Sequence, residues 1–297
     1  MPETLLQPAS LDLPESTVSD YFALLKPKVM SLVVFTGLAG FITAPHPANF
    51  NLFLSLIGLL CLAVGAGASG AINMWYDRDI DVIMNRTKDR PIPQNRISPD
   101  NALAFGLVLS LLSVMVMGLA VNWTAAGLLA FANVFYIAIY TMGLKRRTPQ
   151  NIVIGGAAGA FPPMIGWAIV TGDISLYPIL QFMIIFMWTP PHFWALSLFA
   201  NDDYKRANIP MMTVTHGEHY TKINMLIYTI LLLPLTLAPW LLGFESVLYG
   251  VAAFILSGLF LLSCLRVMQT DDLKPARIMF GYSIFYLFAL FLAMMIL

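Results

Sequence analysis

Long apolar runs recur along most of the chain and limit the folds that it can adopt. Runs near the length that crosses a bilayer fall at about residues 29–45, 53–76, 102–120, 124–143, 152–171, 177–200, 223–242, 247–265 and 276–297. The sequence is 59% hydrophobic and only 11% charged, which excludes a water-soluble domain of 297 residues. Because a chain in lipid must satisfy its own backbone hydrogen bonds, the runs predict an all-α, polytopic membrane protein of about nine transmembrane helices around a central cavity.

The basic residues divide the connections between these runs into two groups. All 16 Lys and Arg residues fall in alternate connections, at 26–28, 78–96, 145–147, 205–222 and 266–277. By the positive-inside rule, this side faces the cytoplasm, so we expect a cytoplasmic N-terminus and a C-terminus on the outer side. The expected location is a bacterial inner membrane, with the lipid bilayer as partner and no nucleic acid.

Two long polar loops follow the second and the sixth runs, four helices apart. This spacing predicts a weak internal duplication, with halves at about 21–143 and 148–267 plus a last helix, inside one transmembrane domain at 21–297. Residues 1–20 contain no basic segment that leads into a short apolar core. We therefore expect them to form a mobile cytoplasmic tail rather than a signal peptide.

The first polar loop begins with oxygen-bearing side chains at a regular spacing. Asn73, Asp77 and Asp81 lie four residues apart, so on a helix they fall within an arc of roughly 80°, while Asp79 points nearly the opposite way. Charged groups beside hydrocarbon cost at least a few kcal/mol and indicate a functional site. Carboxylate and amide oxygens in a row suit Mg²⁺, which commonly bridges to phosphate. The alternative is a solvated interfacial rim in which the acids only pair with nearby arginines.

Basic side chains that suit phosphate follow within a few residues. Arg86, Lys88 and Arg90 come directly after the acidic stripe. The planar guanidinium of arginine matches phosphate oxygens well. The first loop is therefore predicted to bind an anionic phosphate ligand.

The second polar loop contains a histidine after two prolines. If helix resumes after Pro191, His192 and Asp203 are eleven residues apart, close to three turns, and share a face with His192 deeper in the membrane. A lone histidine on an apolar helix is commonly a hydrogen-bonded packing residue. The break expected at Pro190 and Pro191 instead favours a cavity wall.

These motifs resemble those of the UbiA-type intramembrane prenyltransferases. The spacing across 73–81, with the segment NRTKDRP at 85–91, resembles the first motif of that family. The segment PPHFW at 190–194, together with 203–211 and 148–163, resembles one branch, the protoheme IX farnesyltransferases or haem O synthases. The likeness runs from about residue 21 to the C-terminus. His192 stands where other branches begin a second aspartate-rich run, which favours a haem acceptor over a quinone-precursor ring and leaves the number of metal ligands in the second motif open.

The resemblance implies Mg²⁺-dependent transfer of the farnesyl group of farnesyl diphosphate to a vinyl group of haem B, with addition of water, to give haem O and diphosphate. Haem B is then a substrate rather than a cofactor. The implied catalytic residues are Asp77, Asp81, Arg90, His192 and Asp203. The implied metal ligands are Asn73, Asp77, Asp81 and Asp203. The implied diphosphate contacts are Asn73, Arg86, Lys88, Arg90, Lys145 and Lys205.

Aromatic side chains near the motifs have two interpretations. Tyr140, Phe193 and Trp194 could face a carbocation, since a π face attracts a cation, although aromatic residues near an interface are more often belt anchors. His192 and Trp194 are the candidate haem contacts. For His192, iron ligation, a hydrogen bond to substrate and assistance to the attacking water stay open, and positioning of haem is favoured because imidazole is a common iron ligand.

Two other functions compete with this interpretation. One is a prenyltransferase that acts on an aromatic quinone precursor, which would use the same diphosphate site. The other is a non-enzymatic transporter or haem exporter, for which the acidic residues would matter little. By resemblance only, a haem A synthase or a terminal-oxidase assembly pathway is the expected recipient of the product.

Overall fold

The computed structural model describes residues 16–48 and 50–297, and every regular element within these ranges is helical. The elements are α1 (Val18–Leu24), α2 (Pro27–Thr43), α3 (Leu52–Tyr76), α4 (Arg78–Asp81), α5 (Pro99–Ala120), α6 (Trp123–Val134), a π-helical segment (Phe135–Leu144), α7 (Asn151–Ala160), α8 (Pro162–Thr171), α9 (Leu176–Phe199), α10 (Asn201–Arg206), α11 (Met212–Thr215), α12 (Gly217–Leu241), α13 (Val247–Met268) and α14 (Leu273–Ile296). The all-α prediction is confirmed.

The number of membrane-crossing helices agrees with the sequence. In the described ranges, eight helical segments are long and apolar enough to span a membrane, and the pair α1 and α2, bent by 56°, makes a ninth if it is counted as one span. The π-helical segment continues α6 within one span, and α7 and α8 together form another. The chain is therefore a multi-pass membrane protein.

The N-terminal tail predicted at 1–20 lies largely outside the described residues, which begin at residue 16. Helix α1 starts inside the predicted tail. Its first turn is closed by a capping box, in which the Asp20 amide donates to Thr17 Oγ1 (3.3 Å) and the Thr17 amide donates to Asp20 Oδ2 (3.1 Å). Asp20 also pairs with Arg96 at 3.2 Å, which connects α1 to the loop after α4.

Polar residues at the edges of the apolar runs fix several helix starts. At α3 and α6, the side chains of Asn51 and Asn122 accept hydrogen bonds from the amides of Leu54 (3.1 Å) and Ala125 (2.8 Å). Ser246 does the same at the start of α13. Such caps satisfy amides that have no partner within the helix, so these boundaries follow from local sequence.

The long helices enclose one large cavity. Helix α3 packs on α5, α2 on α8, α12 on α9 and α13, and α14 on α13, α9 and α2. Because α14 returns to α2, the bundle closes into a ring. One apolar core is built mainly from α9 and α12 to α14, and a second from α2, α3, α6 and α8. Between them lies a cavity of about 980 Å³, lined by residues of α2, α3, α6 with its π-helical segment, α7, α8, α9 and α14.

The break expected at Pro190 and Pro191 is wrong, because α9 continues through both prolines. Hydrogen bonds from neighbouring side chains support this stretch: Thr189 Oγ1 donates to the Ile185 carbonyl (2.8 Å), and Trp188 Nε1 donates to the Ser283 carbonyl of α14 (2.9 Å). Neither bond reaches the carbonyls of Phe186 and Met187, which the prolines leave without a helical donor, so these contacts brace the turn before the prolines rather than replace the lost backbone bonds. The chain instead turns at Ala200.

His192 and Asp203 consequently lie on different helices, contrary to the single helix expected from their spacing. His192 belongs to α9, which ends at Phe199, whereas Asp203 belongs to the short α10. The two residues therefore do not share one helical face.

We expect Gly166→Ala to destabilise the bundle by about 1–3 kcal/mol, because overpacking forces well-packed elements apart. A Cβ at Gly166 would lie 1.9 Å from the Gly37 carbonyl oxygen of α2, closer than any real contact. Thermal unfolding of the detergent-solubilised protein measures the effect. Gly258→Ala is the matched control, since its Cβ would meet nothing within 4 Å; equal losses in the two variants would contradict the steric explanation.

Candidate active site

The three oxygen-bearing residues of the first motif lie buried on one face. Asn73, Asp77 and Asp81 are 3%, 0% and 1% exposed. Asp77 directly follows α3 as its C-cap, yet its amide donates to the Asn73 carbonyl (2.9 Å), and the Asp81 amide donates to the Asp77 carbonyl (2.9 Å). The spacing of four residues therefore carries across the junction of α3 and α4. The Asp79 side chain, which is 60% exposed, points elsewhere.

Each buried carboxylate of this face contacts a basic side chain. Lys145, which follows the π-helical segment, pairs with Asp77 Oδ2, and Arg146 Nη2 lies 3.4 Å from Asp77 Oδ1. Arg90 Nη1 donates to Asp81 Oδ2 at 2.7 Å. Two neighbouring loops thus supply positive charge to the acidic stripe, as a site for an anionic ligand requires.

Asn73 links this ion-pair network to the first membrane span. Its Oδ1 accepts a hydrogen bond from Lys26 Nζ (2.6 Å). Its Nδ2 donates to Asp77 Oδ2 (2.8 Å) and to Thr141 Oγ1 (3.1 Å). Contacts with Lys26, Asp77 and Thr141 therefore orient the amide group, and its oxygen faces the ammonium group of Lys26.

Asp79 does not belong to the buried face formed by Asn73, Asp77 and Asp81, and its side chain instead binds Arg146. Arg146 donates hydrogen bonds of 2.7 Å to both carboxylate oxygens of Asp79. These bonds lower the pKa of the Asp79 carboxyl below its ordinary value, since they favour its charged form. Arg146 also stacks over the Tyr76 ring, 4.9 Å from its centroid. The Asp79–Arg146 contact lies at the exposed edge of the site, between the end of α3 and the loop after the π-helical segment.

The second polar loop packs against the first. Asp203 pairs with Arg206 and accepts a hydrogen bond from Asn85 Nδ2 (3.2 Å), which belongs to the first loop. Beneath this contact, an apolar cluster joins the two loops; it contains Ile80, Met84, Ile152, Tyr204, Ala207, Ile209 and Met211. Burial raises the pKa of the Tyr204 hydroxyl, which keeps this residue neutral within the cluster.

Of the four predicted metal ligands, Asn73 lies in the last turn of α3 and the three carboxylates lie in the two joined loops, where each is already paired with a basic residue. Among the residues that the structure describes, no three His, Cys, Asp or Glu side chains converge in a ready-made metal site. The donor chemistry nevertheless fits a hard cation, because a buried amide and buried carboxylates supply only oxygen. Asn73, Asp77 and Asp81 meet this condition on one face, with Asp203 on the facing loop.

The large cavity begins directly below the polar network. Lys26 and Arg86 line its polar part, whereas its body is lined mostly by aliphatic and aromatic side chains. Tyr136 and Tyr140 stack at 5.6 Å on its wall, and Lys26 Nζ lies 6.0 Å from the Tyr136 centroid. A polar head and a long apolar tail would both find matching surroundings here.

His192 lies on the wall of the cavity, inside an aromatic frame. Its ring stacks between Trp188 (4.4 Å) and Phe280 (4.7 Å), and its Nδ1 lies 2.6 Å from Ser283 Oγ. Trp194, by contrast, is fully buried and meets Tyr228 edge-on at 5.4 Å.

The structure brings some of the predicted residues to the cavity and leaves others outside it. Arg86, Tyr140, His192 and Phe193 line the cavity, and Asn73, Asp77, Asp81, Arg90 and Lys145 form the polar network above it. Lys88 and Lys205 are exposed and do not line it. Trp194 also lies away from the cavity, because two residues along a helix turn a side chain by about 200° relative to His192.

Three residues of the site were missed from the sequence: Lys26, Tyr136 and Arg146. Lys26 has a left-handed backbone, with φ of 52°, that turns α1 into α2 and sends its side chain to Asn73. Its position directly before the first apolar run was the available signal. Tyr136 precedes Tyr140 by one helical turn, which is a periodic signal. No sequence signal distinguishes Arg146 from Arg147.

Comparison with known proteins decides the family. The model of the UbiA prenyltransferase family matches residues 33–293. The chain belongs to this family. Among curated relatives of this UbiA prenyltransferase, protoheme IX farnesyltransferase 2 of Mesorhizobium japonicum is 55% identical over 295 residues, covering 98% of this chain and 93% of the relative. Protoheme IX farnesyltransferase of Agrobacterium fabrum is 57% identical over 286 residues, covering 95% and 90%.

Solved structures share the fold of this UbiA prenyltransferase at low sequence identity. A digeranylgeranylglyceryl phosphate synthase superposes with a TM-score of 0.77 at 16% identity, over 94% of this chain and 99% of the other. A UbiA homologue from Archaeoglobus fulgidus, bound to DMAPP and Mg²⁺, superposes with a TM-score of 0.66 at 19% identity, over 92% and 99%. These likenesses establish the fold, and the family establishes that the chain is an enzyme.

Proposed function

We propose that the protein transfers the farnesyl group of farnesyl diphosphate to a vinyl group of haem B, with addition of water, and releases haem O and diphosphate. The allylic C–O bond breaks, and a C–C bond forms between farnesyl C1 and the terminal vinyl carbon. Water then adds to the resulting cation beside the porphyrin ring and loses a proton. The names of relatives at 55–57% identity over nearly the whole chain support haem as the acceptor.

One observation carries the proposal: a buried network of carboxylates and cations at the polar part of an apolar cavity. A leaving diphosphate gains negative charge as the C–O bond breaks, so the enzyme must stabilise it electrostatically. Lys145, Arg90 and Arg86 offer positive charge to the diphosphate, and Lys26 lies beside Asn73. Lys88 and Lys205 are exposed and could act only on the approach of the ligand.

The proposed metal ligands are Asn73, Asp77, Asp81 and Asp203. Mg²⁺ held by these oxygens would neutralise charge on the diphosphate. Lys145, Arg90 and Arg206, which pair with these carboxylates, would share them with the metal ion and supply positive charge beside the diphosphate. The proposed catalytic set is Asp77, Asp81, Arg90, His192 and Asp203.

The aromatic wall suits the cationic stage of the reaction. Tyr136 and Tyr140 lie at the polar part of the cavity, and Phe193 lies beside His192. A π face attracts a carbocation as it attracts ammonium, and the apolar body accommodates the farnesyl tail without polar partners. We assign haem positioning to His192. Trp194 lies outside the cavity and supports the fold of α9 against α12.

We further propose that the protein lies in a bacterial inner membrane, with the polar network and the N-terminus on the cytoplasmic side and the C-terminus outside. The confinement of all 16 basic residues to alternate connections supports this orientation. A haem A synthase or a terminal-oxidase assembly pathway would receive the product.

Incubation of the purified protein with haem B, farnesyl diphosphate and Mg²⁺ should yield haem O, identified by mass spectrometry of the extracted pigments. Parallel reactions replace haem B with 4-hydroxybenzoate. Unmodified haem together with a prenylated phenol would replace this proposal by a quinone-precursor prenyltransferase. Absence of any prenylated product, in protein that is folded by gel filtration, would favour the transporter alternative.

A further inference from the structure

His192 is enclosed by three aromatic rings and one hydroxyl group. Both faces of its ring are covered, by Trp188 and by Phe280, at interplanar angles of 20° and 24°. Phe193 meets it edge-on at 5.3 Å. With Nδ1 at the Ser283 hydroxyl, the ring edge that carries Nε2 is left to face the cavity that His192 lines. No described residue hydrogen-bonds to Nε2.

The hydroxyl of Ser283 determines which ring nitrogen carries the proton. Ser283 Oγ lies 2.6 Å from the Phe280 carbonyl, which can only accept, so the single hydroxyl proton is donated there. The same oxygen must then accept from His192 Nδ1, which lies 2.6 Å away. In a neutral imidazole with a proton on Nδ1, Nε2 has a free lone pair. That lone pair is directed towards the cavity.

We propose that Ser283 is a positioning residue that fixes His192 as the Nδ1–H tautomer and presents Nε2 to the iron of haem B. The inference rests on the proposed function for the identity of the ligand. A histidine that binds iron is usually neutral and binds through one ring nitrogen. Its other ring nitrogen donates a hydrogen bond, which orients the ring and raises the basicity of the nitrogen that binds the metal. Iron coordination would fix the porphyrin in the cavity and so determine which vinyl group meets the farnesyl cation.

The backbone of Ser283 adds a second connection between the two helices. Trp188, one turn before His192 on α9, donates its indole N–H to the Ser283 carbonyl (2.9 Å). One residue of α14 therefore anchors both the histidine and one of the rings that cover it. This double anchoring restrains the imidazole in position and in rotation, as a metal ligand requires.

The test is haem binding by the purified, detergent-solubilised protein, followed by absorption spectroscopy. We expect a histidine-ligated Soret spectrum in the wild type and its loss in His192→Ala. In Ser283→Ala, the dissociation constant for haem B should rise by about tenfold or more, the usual effect of losing the partner of a metal ligand. Ser283→Thr keeps the hydroxyl and should restore binding and spectrum. Iron-free protoporphyrin IX should bind all variants alike, since it offers no metal to Nε2.

Ser257→Ala is the matched control. Ser257 is a buried serine of α13, bonded to Thr236 (2.9 Å) and Tyr286 (3.2 Å), and it does not line the cavity. The proposal is overturned if Ser283→Ala retains the wild-type spectrum and affinity, if Ser257→Ala weakens haem binding equally, or if protoporphyrin IX weakens in parallel with haem. Because these are binding measurements, they separate the role of Ser283 from the proposed function, which fails only if haem B is never farnesylated.

Discussion

Replacing Asp77 with asparagine should lower the rate of prenyl transfer by about 100-fold or more, as expected when one group that stabilises developing charge is lost. Asp77 is fully buried and contacts Lys145, Arg146 and Asn73. The asparagine retains the size of the side chain but removes the charge that a metal–diphosphate complex needs. Single-turnover conversion of saturating substrates measures the loss, and gel filtration in detergent shows whether the variant is folded.

Asp79→Asn is the matched control for Asp77→Asn, because it removes one carboxylate charge from the same segment but not from the buried face. It makes the same substitution two residues away, on an exposed side chain whose known partner is Arg146. An exposed ion pair contributes little to stability, so we expect activity within about twofold of the wild type. Equal losses in Asp77→Asn and Asp79→Asn would show that the buried stripe has no special role.

Removal of divalent metal ions with a chelator should reduce prenyl transfer to the background rate, and added Mg²⁺ should restore it. The expectation follows from the oxygen-only donor set at Asn73, Asp77 and Asp81 and from the negative charge of the leaving diphosphate. Full activity in excess chelator would contradict the assignment of a metal to this site.

Titration of activity with Mg²⁺ in two variants, Asp203→Asn and Asp202→Asn, tests whether Asp203 of the second loop is a metal ligand. In Asp203→Asn, the Mg²⁺ concentration for half-maximal activity should rise about tenfold, as for loss of a group that holds a metal. Asp202→Asn is the matched control, because Asp202 is exposed and Asp203 is the residue that contacts the first loop through Asn85. If the Mg²⁺ concentration for half-maximal activity rose only in Asp202→Asn, the second loop would bind the metal through Asp202 and the assignment of Asp203 would be wrong.

The sequence predicted the buried stripe because helical periodicity is a local property. The four-residue spacing of Asn73, Asp77 and Asp81 survives the junction of α3 and α4 through two backbone hydrogen bonds. The second loop was predicted less well, since a Pro-Pro pair predicts a helix break wherever no neighbour supports the helix. Here Ser283 of α14 binds Trp188 and His192 beside the prolines, and that support comes from a residue about ninety positions away along the chain.

The residues missed from the sequence share one property: their roles depend on contacts between distant segments. Lys26 reaches Asn73 because a left-handed residue bends the chain between α1 and α2. Arg146 reaches Asp79 because the π-helical segment ends beside α3. The division into two pseudo-repeated halves, in contrast, stays a prediction.

The sequence by itself determined the membrane class, the number of spans to within one, and the acidic stripe, because hydrophobicity and helical phase act over neighbouring residues. Only the tertiary structure decided which cation meets each carboxylate, that α9 continues through its prolines, and that Ser283 lies beside His192. These features depend on how α14 closes the ring against α9 and α2, and such packing between distant helices has no local signature in the sequence.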